Sequence, residues 1–125
     1  MNATEPLVPT ELTLHQKSRM LAVSFSDGER YQFSCEFLRV HSPSAEVRGH
    51  GAGQEVLQTG KERVNISKIE PVGNYGVKLF FDDGHNTGIY SWEYLHRLGQ
   101  QQEQLWQDYL QRLKAAGHAR RPASG

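Results

Sequence analysis

Residues 69–95 decide the fold, and they read IEPVGNYGVKLFFDDGHNTGIYSWEYL. Two turn signals punctuate this stretch, at Gly73-Asn74 and Asp83-Gly84, because these residue types tolerate the positive φ angles of tight turns. Between the turns, apolar side chains recur at every second position, as in a strand with one buried face: Tyr75, Val77, Leu79 and Phe81. Residues 87–90 then return as a short strand. The stretch predicts an antiparallel β unit, with an earlier strand over 64–72.

A second β unit is predicted nearer the N-terminus, with strands over 11–16, 20–25 and 31–33. Leu12 and Leu14 share one face of its first strand, which is the spacing of a half-buried strand. Asp27-Gly28 is a hairpin turn signal between the other two. This unit is also expected to be antiparallel.

Helices are predicted after each β unit. Residues 35–40 form a short helical or irregular segment, and one helical turn follows with Ser42 as N-cap and Pro43 in the first position. Ser91 then begins one long C-terminal helix that ends near Gly117. Apolar side chains recur along it at three- and four-residue steps: Leu95, Leu98, Leu105, Trp106, Tyr109, Leu110 and Leu113. The favoured interpretation is that this stripe covers one face of the sheet; the alternative is that its end, after residues 100–104, projects beyond the sheet and binds a partner or a second copy.

The predicted fold class is therefore α+β, with two small antiparallel β units of hairpins and one long C-terminal α-helix. Residues 1–9 are expected to form a flexible arm, 10–117 a single domain and 118–125 a flexible tail. Residues 48–62 contain four glycines and are interpreted as a long surface loop.

Composition excludes several function classes. Fourteen basic and fourteen acidic residues cancel, so we expect neither nucleic-acid binding nor attraction to a membrane surface. Cys35 is the only cysteine, which excludes an intramolecular disulfide. Its apolar neighbours favour a small buried side chain over a reactive thiol. The N-terminus does not resemble a signal peptide and no stretch is long enough to span a membrane, so we expect a cytoplasmic protein.

Three stretches carry a family resemblance: residues 38–49 (LRVHSPSAEVRG), 69–75 (IEPVGNY) and 81–95 (FDDGHNTGIYSWEYL). Together they resemble the bacterial family of gamma-butyrobetaine hydroxylase-like N-terminal domains, from about Leu12 to Leu98. In the hydroxylase, such a domain precedes a catalytic domain that uses iron and 2-oxoglutarate, and only a short tail follows here. Related domains are fused to P-loop ATPases with iron–sulfur clusters. The resemblance thus implies a protein partner in iron–sulfur or iron-enzyme metabolism.

The resemblance also raises the question of a metal. The hydroxylase domain holds a structural zinc ion through three cysteines and one histidine, and the matching positions here are Ser42, Ser44, Val47 and His85. Because three thiolates are missing, we expect no structural zinc. One hypothesis is that His85 fixes its turn by donating to a backbone carbonyl. The other is a weakly bound iron or zinc ion at His85, with His50 or His41 and Asp82 or Asp83; the set His85, His50 and Asp83 is the candidate.

Candidate binding residues flank the loop. Arg39, Arg48, Lys61 and Arg63 are placed to hold an anion or a partner's acidic surface, and we single out Arg39, Arg48 and Trp92. The sequence contains no recognisable catalytic constellation, so we expect no enzymatic activity. The favoured function is a non-catalytic binding or adaptor domain related to iron or iron–sulfur cofactors. The alternative is an accessory or substrate-binding subunit of a separate 2-oxoglutarate/iron hydroxylase-type enzyme.

Overall fold

The structure is a computed structural model, and it describes residues 7–49 and 55–120. Within these ranges, six strands form two antiparallel sheets with the orders β1-β2-β3 and β4-β5-β6. The first sheet contains β1 (Pro9–His15), β2 (Met20–Phe25) and β3 (Arg30–Ser34), and the second contains β4 (Ile66–Val72), β5 (Gly76–Phe81) and β6 (Ile89–Ser91). The helices are α1 (Cys35–Val40), α2 (Ala45–Arg48), α3 (Trp92–Gln100) and α4 (Gln102–Ala115). The α+β class and both antiparallel units are confirmed.

Alternation along the strands places one face of each sheet in the main core. Every second side chain of β2 is buried, and the same holds for β5, where the buried residues are Val77, Leu79 and Phe81. Tyr75, which the sequence pattern placed on this face, precedes the strand and is 54% exposed. The period of two thus positions the core, but the turn carries Tyr75 to the surface.

Two clusters of apolar side chains hold the elements together. The main core joins the inner faces of both sheets to α1 and α3. Tyr90 is fully buried in it, and its hydroxyl donates to the backbone carbonyl of Leu38 at 2.5 Å, which links β6 to α1. A smaller core packs Val40 of α1 against Tyr109 and Leu113 of α4.

The prediction of one long C-terminal helix is wrong, because the helix breaks at Gln101, where φ is −108° and ψ is 11°. The break falls in the polar gap of the apolar stripe, where the side chains of Gln100 and Gln101 are exposed. Before the break, Leu95 and Leu98 pack in the main core; after it, Leu105 and Trp106 still pack against that core, whereas Tyr109 and Leu113 pack in the smaller core. Gly99 lies flat on the Tyr31 ring, which a Cβ would overlap. The stripe therefore covers the main core as far as Trp106, and its end covers the smaller core.

The predicted N-cap of the helical turn is also corrected. Ser44, and not Ser42, caps α2, because its hydroxyl accepts a hydrogen bond from the Glu46 N–H at 3.2 Å. Ser42 is buried, and its hydroxyl accepts from the Ser44 N–H at 3.2 Å. Its remaining hydrogen bond is to a residue of the β5–β6 hairpin, so a tertiary contact displaces the local capping role.

Among residues 7–49 and 55–120, every helix is too short or too polar to cross a membrane.

Candidate functional site

A partly buried polar cluster lies where α1 and α2 meet the turn between β5 and β6. It contains Arg39, Ser42, Glu46, Asp83 and His85, which we call the hairpin cluster. Arg39 projects from the last turn of α1, Glu46 from the first turn of α2, and Asp83 and His85 from the hairpin turn. Two of the three candidate metal ligands and one candidate binding residue, Arg39, therefore converge here.

Asp83 is the acidic centre of the hairpin cluster. Its Oδ2 accepts from Arg39 Nε at 2.8 Å and from Lys61 Nζ at 2.6 Å. Its Oδ1 accepts from the His85 backbone N–H at 3.1 Å, which closes the turn. Burial alone raises the pKa of Asp83, but the hydrogen bonds from Lys61, His85 and Arg39 outweigh it and lower the pKa to about 2. Asp83 is therefore a carboxylate at neutral pH.

Arg39 is the cation that this carboxylate holds in the interior. Its side chain is 9% exposed, and its Nη1 is buried without a hydrogen-bond partner among the described residues. A guanidinium in this position depends on its bond to Asp83, because a buried charge without a partner is strongly destabilising.

His85 fastens the hairpin to the segment between α1 and α2. Its Nδ1 lies 2.9 Å from Glu46 Oε1 and its Nε2 lies 2.8 Å from Ser42 Oγ. Burial, with Arg39 nearby, lowers the pKa of His85 despite the opposing effect of Glu46. A neutral ring donates from Nδ1 to the carboxylate and accepts from the Ser42 hydroxyl at Nε2. The ring therefore bonds side chains of other elements. The hypothesis that it donates to a backbone carbonyl of its own turn is wrong.

Sequence reasoning missed three members of this arrangement: Ser42 as the partner of His85, Glu46, and Thr87. Thr87 Oγ1 donates to Glu46 Oε1 at 2.8 Å and lies 2.6 Å from Ser44 Oγ. The pairing of a Ser-Pro-Ser turn with a polar hairpin was a usable signal, because both segments carry short hydroxyl side chains. The two segments lie about 40 residues apart in the chain, so local sequence patterns do not show that they are in contact.

Trp92 lies far from the hairpin cluster. It begins α3 beside the turn that precedes β5, whereas the cluster follows the end of β5. The five residue steps from Gly76 to Phe81 separate these two ends by roughly 17 Å. Arg48 is exposed in the last turn of α2, and its side chain makes no hydrogen bond or ion pair with the described residues of the cluster. The three candidate binding residues thus do not form one site.

Trp92 instead borders a surface groove of about 480 Å³. We call it the Trp92 groove, and it is lined by Leu7, Val8, Asn74, Tyr75, Ser91, Trp92 and Glu93. The indole Nε1 donates to the Asn74 carbonyl at 3.0 Å, which fixes the ring at the wall. Tyr75 is 54% exposed and Val8 is 39% exposed. The groove therefore presents apolar and aromatic side chains to solvent.

Comparison with known protein families shows to which family the chain belongs. The family described as gamma-butyrobetaine hydroxylase-like, N-terminal, matches residues 12–96. The chain belongs to this family. The match includes both sheets, the hairpin cluster and Trp92, so these features lie within the gamma-butyrobetaine hydroxylase-like N-terminal domain. The resemblance drawn from the sequence is confirmed.

Solved structures agree with this assignment. A protein structure determined in solution by NMR is 52% identical, covers 98% of this chain and 91% of its own, and superimposes with a TM-score of 0.80. A second NMR structure is 46% identical, with coverages of 94% and 93% and a TM-score of 0.79. A crystal structure from Acidithiobacillus ferrooxidans, of a protein of unknown function in the DUF971 family, is 42% identical with coverages of 73% and 91% and a TM-score of 0.61. No curated protein matched the chain.

The residues at the four positions that the sequence resemblance matched to the hydroxylase's zinc ligands do not fit a zinc ion. Ser42 and Ser44 are buried, and their hydroxyls form hydrogen bonds with His85 and Thr87. Val47 is buried and apolar. Both ring nitrogens of His85 and the carboxylate of Asp83 contact protein partners. Within residues 7–49 and 55–120, no three His, Cys, Asp or Glu side chains are grouped as metal ligands. Candidate His50 lies outside the described residues. The weakly bound iron or zinc ion stays a prediction.

Metal titration tests the prediction of a weakly bound ion at a single atom, Nδ1 of His85. Glu46 is 61% exposed and able to swing away, so Nδ1 is the nitrogen of His85 that a metal ion would take. If the ion binds, Zn(II) or anaerobic Fe(II) is expected to shift the His85 imidazole NMR signals saturably, and His85→Ala is expected to lose the effect. His15, exposed in β1, is the matched control ring. Unchanged His85 signals at stoichiometric metal would remove the metal site.

Proposed function

We propose that this domain is a non-catalytic binding module that docks another protein at the Trp92 groove. The observation that carries the proposal is the exposure of Tyr75, at 54%, beside Val8 and Trp92 in one groove. Aromatic side chains of this kind are enriched in the centres of protein interfaces, and contiguous exposed apolar surface marks such sites. A partner that covers Tyr75 and Val8 gains the free energy of removing them from water.

The hairpin cluster suits a structural role better than a binding role. Asp83 bonds Arg39, and the His85 ring bonds Glu46 and Ser42, so these links join the hairpin to α1, to α2 and to the segment between them. A ligand that entered would have to replace these bonds before it gained any of its own. This internal pairing also supports a non-catalytic module, because Asp83 and His85 are already committed as acceptor and donor to protein groups.

A photo-crosslinking residue in place of Tyr75 tests the proposal in the cell. We expect the variant to form a discrete covalent adduct with one protein, because Tyr75 lines the groove and is 54% exposed. The matched control places the same crosslinker at Gln107, an exposed position on α4. Equal adducts from both positions, or none from position 75 in a folded chain, would contradict docking at the groove.

The identity of the captured protein separates the two finer hypotheses. A partner that handles iron or iron–sulfur cofactors would support an adaptor for cofactor metabolism, which is the role that the family resemblance implies. A separate 2-oxoglutarate/iron hydroxylase would support an accessory or substrate-binding subunit. In either case Tyr75→Ser is expected to weaken binding to that partner by about tenfold, the effect of an interface residue worth about 1.4 kcal/mol.

A further inference from the structure

Glu36 is a buried carboxylate that holds the side chain of Arg120. Glu36 lies in the first turn of α1 and is 3% exposed. Arg120 Nε lies 2.8 Å from Oε2 and 3.0 Å from Oε1, and Arg120 Nη2 lies 2.5 Å from Oε1. The contact therefore engages both carboxylate oxygens and two guanidinium nitrogens, which is the geometry that distinguishes arginine from lysine.

Trp106 completes the surroundings of this guanidinium. The Arg120 guanidinium carbon lies 5.3 Å from the centre of the Trp106 ring, within the range of a cation–π interaction. The hydrogen bonds to Glu36, and then the charges of Glu36 and Glu62, raise the pKa of Arg120. A carboxylate, an indole ring and negative surroundings together make a site for a planar cation.

The segment that delivers Arg120 is held by few bonds. After α4, Gly117 has a φ of 79° and the His118 N–H donates to the Leu113 carbonyl at 2.9 Å, which ends the helix. Among the described residues after His118, the hydrogen bonds to the rest of the fold are those of the Arg120 side chain. Residues 114–120 are exposed. The site therefore belongs to α1 and α4, whereas its occupant comes from a surface segment.

An apolar groove of about 350 Å³ adjoins the site and shares Trp106 with it. Its other lining residues include Phe37, Met20 and the acidic Glu103. A segment with an arginine next to an apolar side chain matches both parts, because Glu36 and Glu103 complement its charge and Phe37 its apolar surface.

We propose that Glu36 and Trp106 form a guanidinium-binding site, which Arg120 fills from within the chain and which an arginine side chain of a partner protein takes when residues 118–120 are displaced. Arg120 acts as an internal competitor, so the site opens only to a partner that outcompetes it. The site is separate from the Trp92 groove, and neither proposal depends on the other.

Titration of the full-length Arg120→Ala variant with N-acetyl-arginine amide tests this site. We expect saturable shifts of the Trp106 indole N–H signal with a Kd on the order of 1 mM, as befits a ligand of this size. In the wild-type chain the same probe is expected to bind more weakly, by roughly fivefold, because tethered Arg120 competes at an effective concentration of a few millimolar.

Two controls make the test specific for a guanidinium. N-acetyl-citrulline amide has nearly the same shape without the charge, and Glu36→Gln in the Arg120→Ala background removes the carboxylate; each is expected to abolish saturation. Equal binding of the citrulline probe, or no saturable shift in the folded variant, would overturn the proposal. If Arg120→Ala does not fold, Arg120→Lys replaces it, since lysine keeps the charge but competes less well, and the arginine probe must then still outbind citrulline.

Discussion

Asp83→Asn is expected to lower the free energy of unfolding by about 3 kcal/mol at pH 7. The amide removes the charge that holds Arg39 and Lys61, and the Arg39 guanidinium is then left buried without a counter-charge. Urea unfolding followed by circular dichroism measures the change. Asp108→Asn is the matched control, because Asp108 is exposed on α4, and it is expected to change the free energy by less than about 0.5 kcal/mol. A similarly small effect of Asp83→Asn would contradict the conclusion that the ion pair between Asp83 and Arg39 stabilises the fold.

The same carboxylate makes stability depend on pH in the acidic range. The folded pKa of Asp83 is about 2, below the ordinary value of 3.8 for an aspartate, so the unfolded chain binds its proton more readily. Its contribution, about 2 kcal/mol, is therefore complete above about pH 5 and is lost as the pH falls through about 4 towards 2. Unfolding at successive pH values is expected to show this loss in the wild type and a flatter profile in Asp83→Asn.

Gly88→Ala is expected to cost about 3 kcal/mol, which is large for the addition of one methyl group. A Cβ at position 88 would overlap the Ser42 hydroxyl and would lie 3.3 Å from Pro43 Cδ. The hairpin would have to move away from the segment between α1 and α2, and the bond between Ser42 and His85 would be strained or lost. The free energy of unfolding, measured in urea, reports the effect.

A double-mutant cycle identifies the cause of that loss. Ser42→Gly removes the hydroxyl that the new methyl group meets, so Gly88→Ala is expected to cost less in that background than in the wild type. The same cost in both backgrounds would show that the strain arises elsewhere, and the close approach of Gly88 to Ser42 would not be the reason that position 88 is glycine.

The local elements were predictable because their signals lie within a few residues. Asp27-Gly28 and Asp83-Gly84 do form turns, with Gly28 at a φ of 89° and Gly84 at 92°, conformations that glycine adopts at little cost. The period of two along β5 identified its buried face for the same reason. Tyr75 was misplaced, because the pattern does not show where a strand ends and its turn begins.

The helices show where local reasoning reaches its limit. The stripe from Leu95 to Leu113 has the period of one helix, and the polar gap over residues 100–104 was visible in it. Only packing decides that the gap becomes a break, since Gly99 must lie on Tyr31 while Tyr109 reaches a different core. The cap of α2 is Ser44 and not the predicted Ser42 for a comparable reason, because the Ser42 hydroxyl forms a hydrogen bond with His85.

The sequence by itself determined the α+β class, the two antiparallel units, the family and the absence of a cysteine ligand set. Only the tertiary structure decided the partners of the polar and charged side chains: Arg39 with Asp83, His85 with Ser42, and Arg120 with Glu36, separated by 44, 43 and 84 residues. Turns and strand faces depend on the conformational preferences of neighbouring residues. Ion pairs between distant residues depend on which surfaces the packed core brings together, and many pairings of fourteen cations with fourteen anions are equally compatible with the sequence.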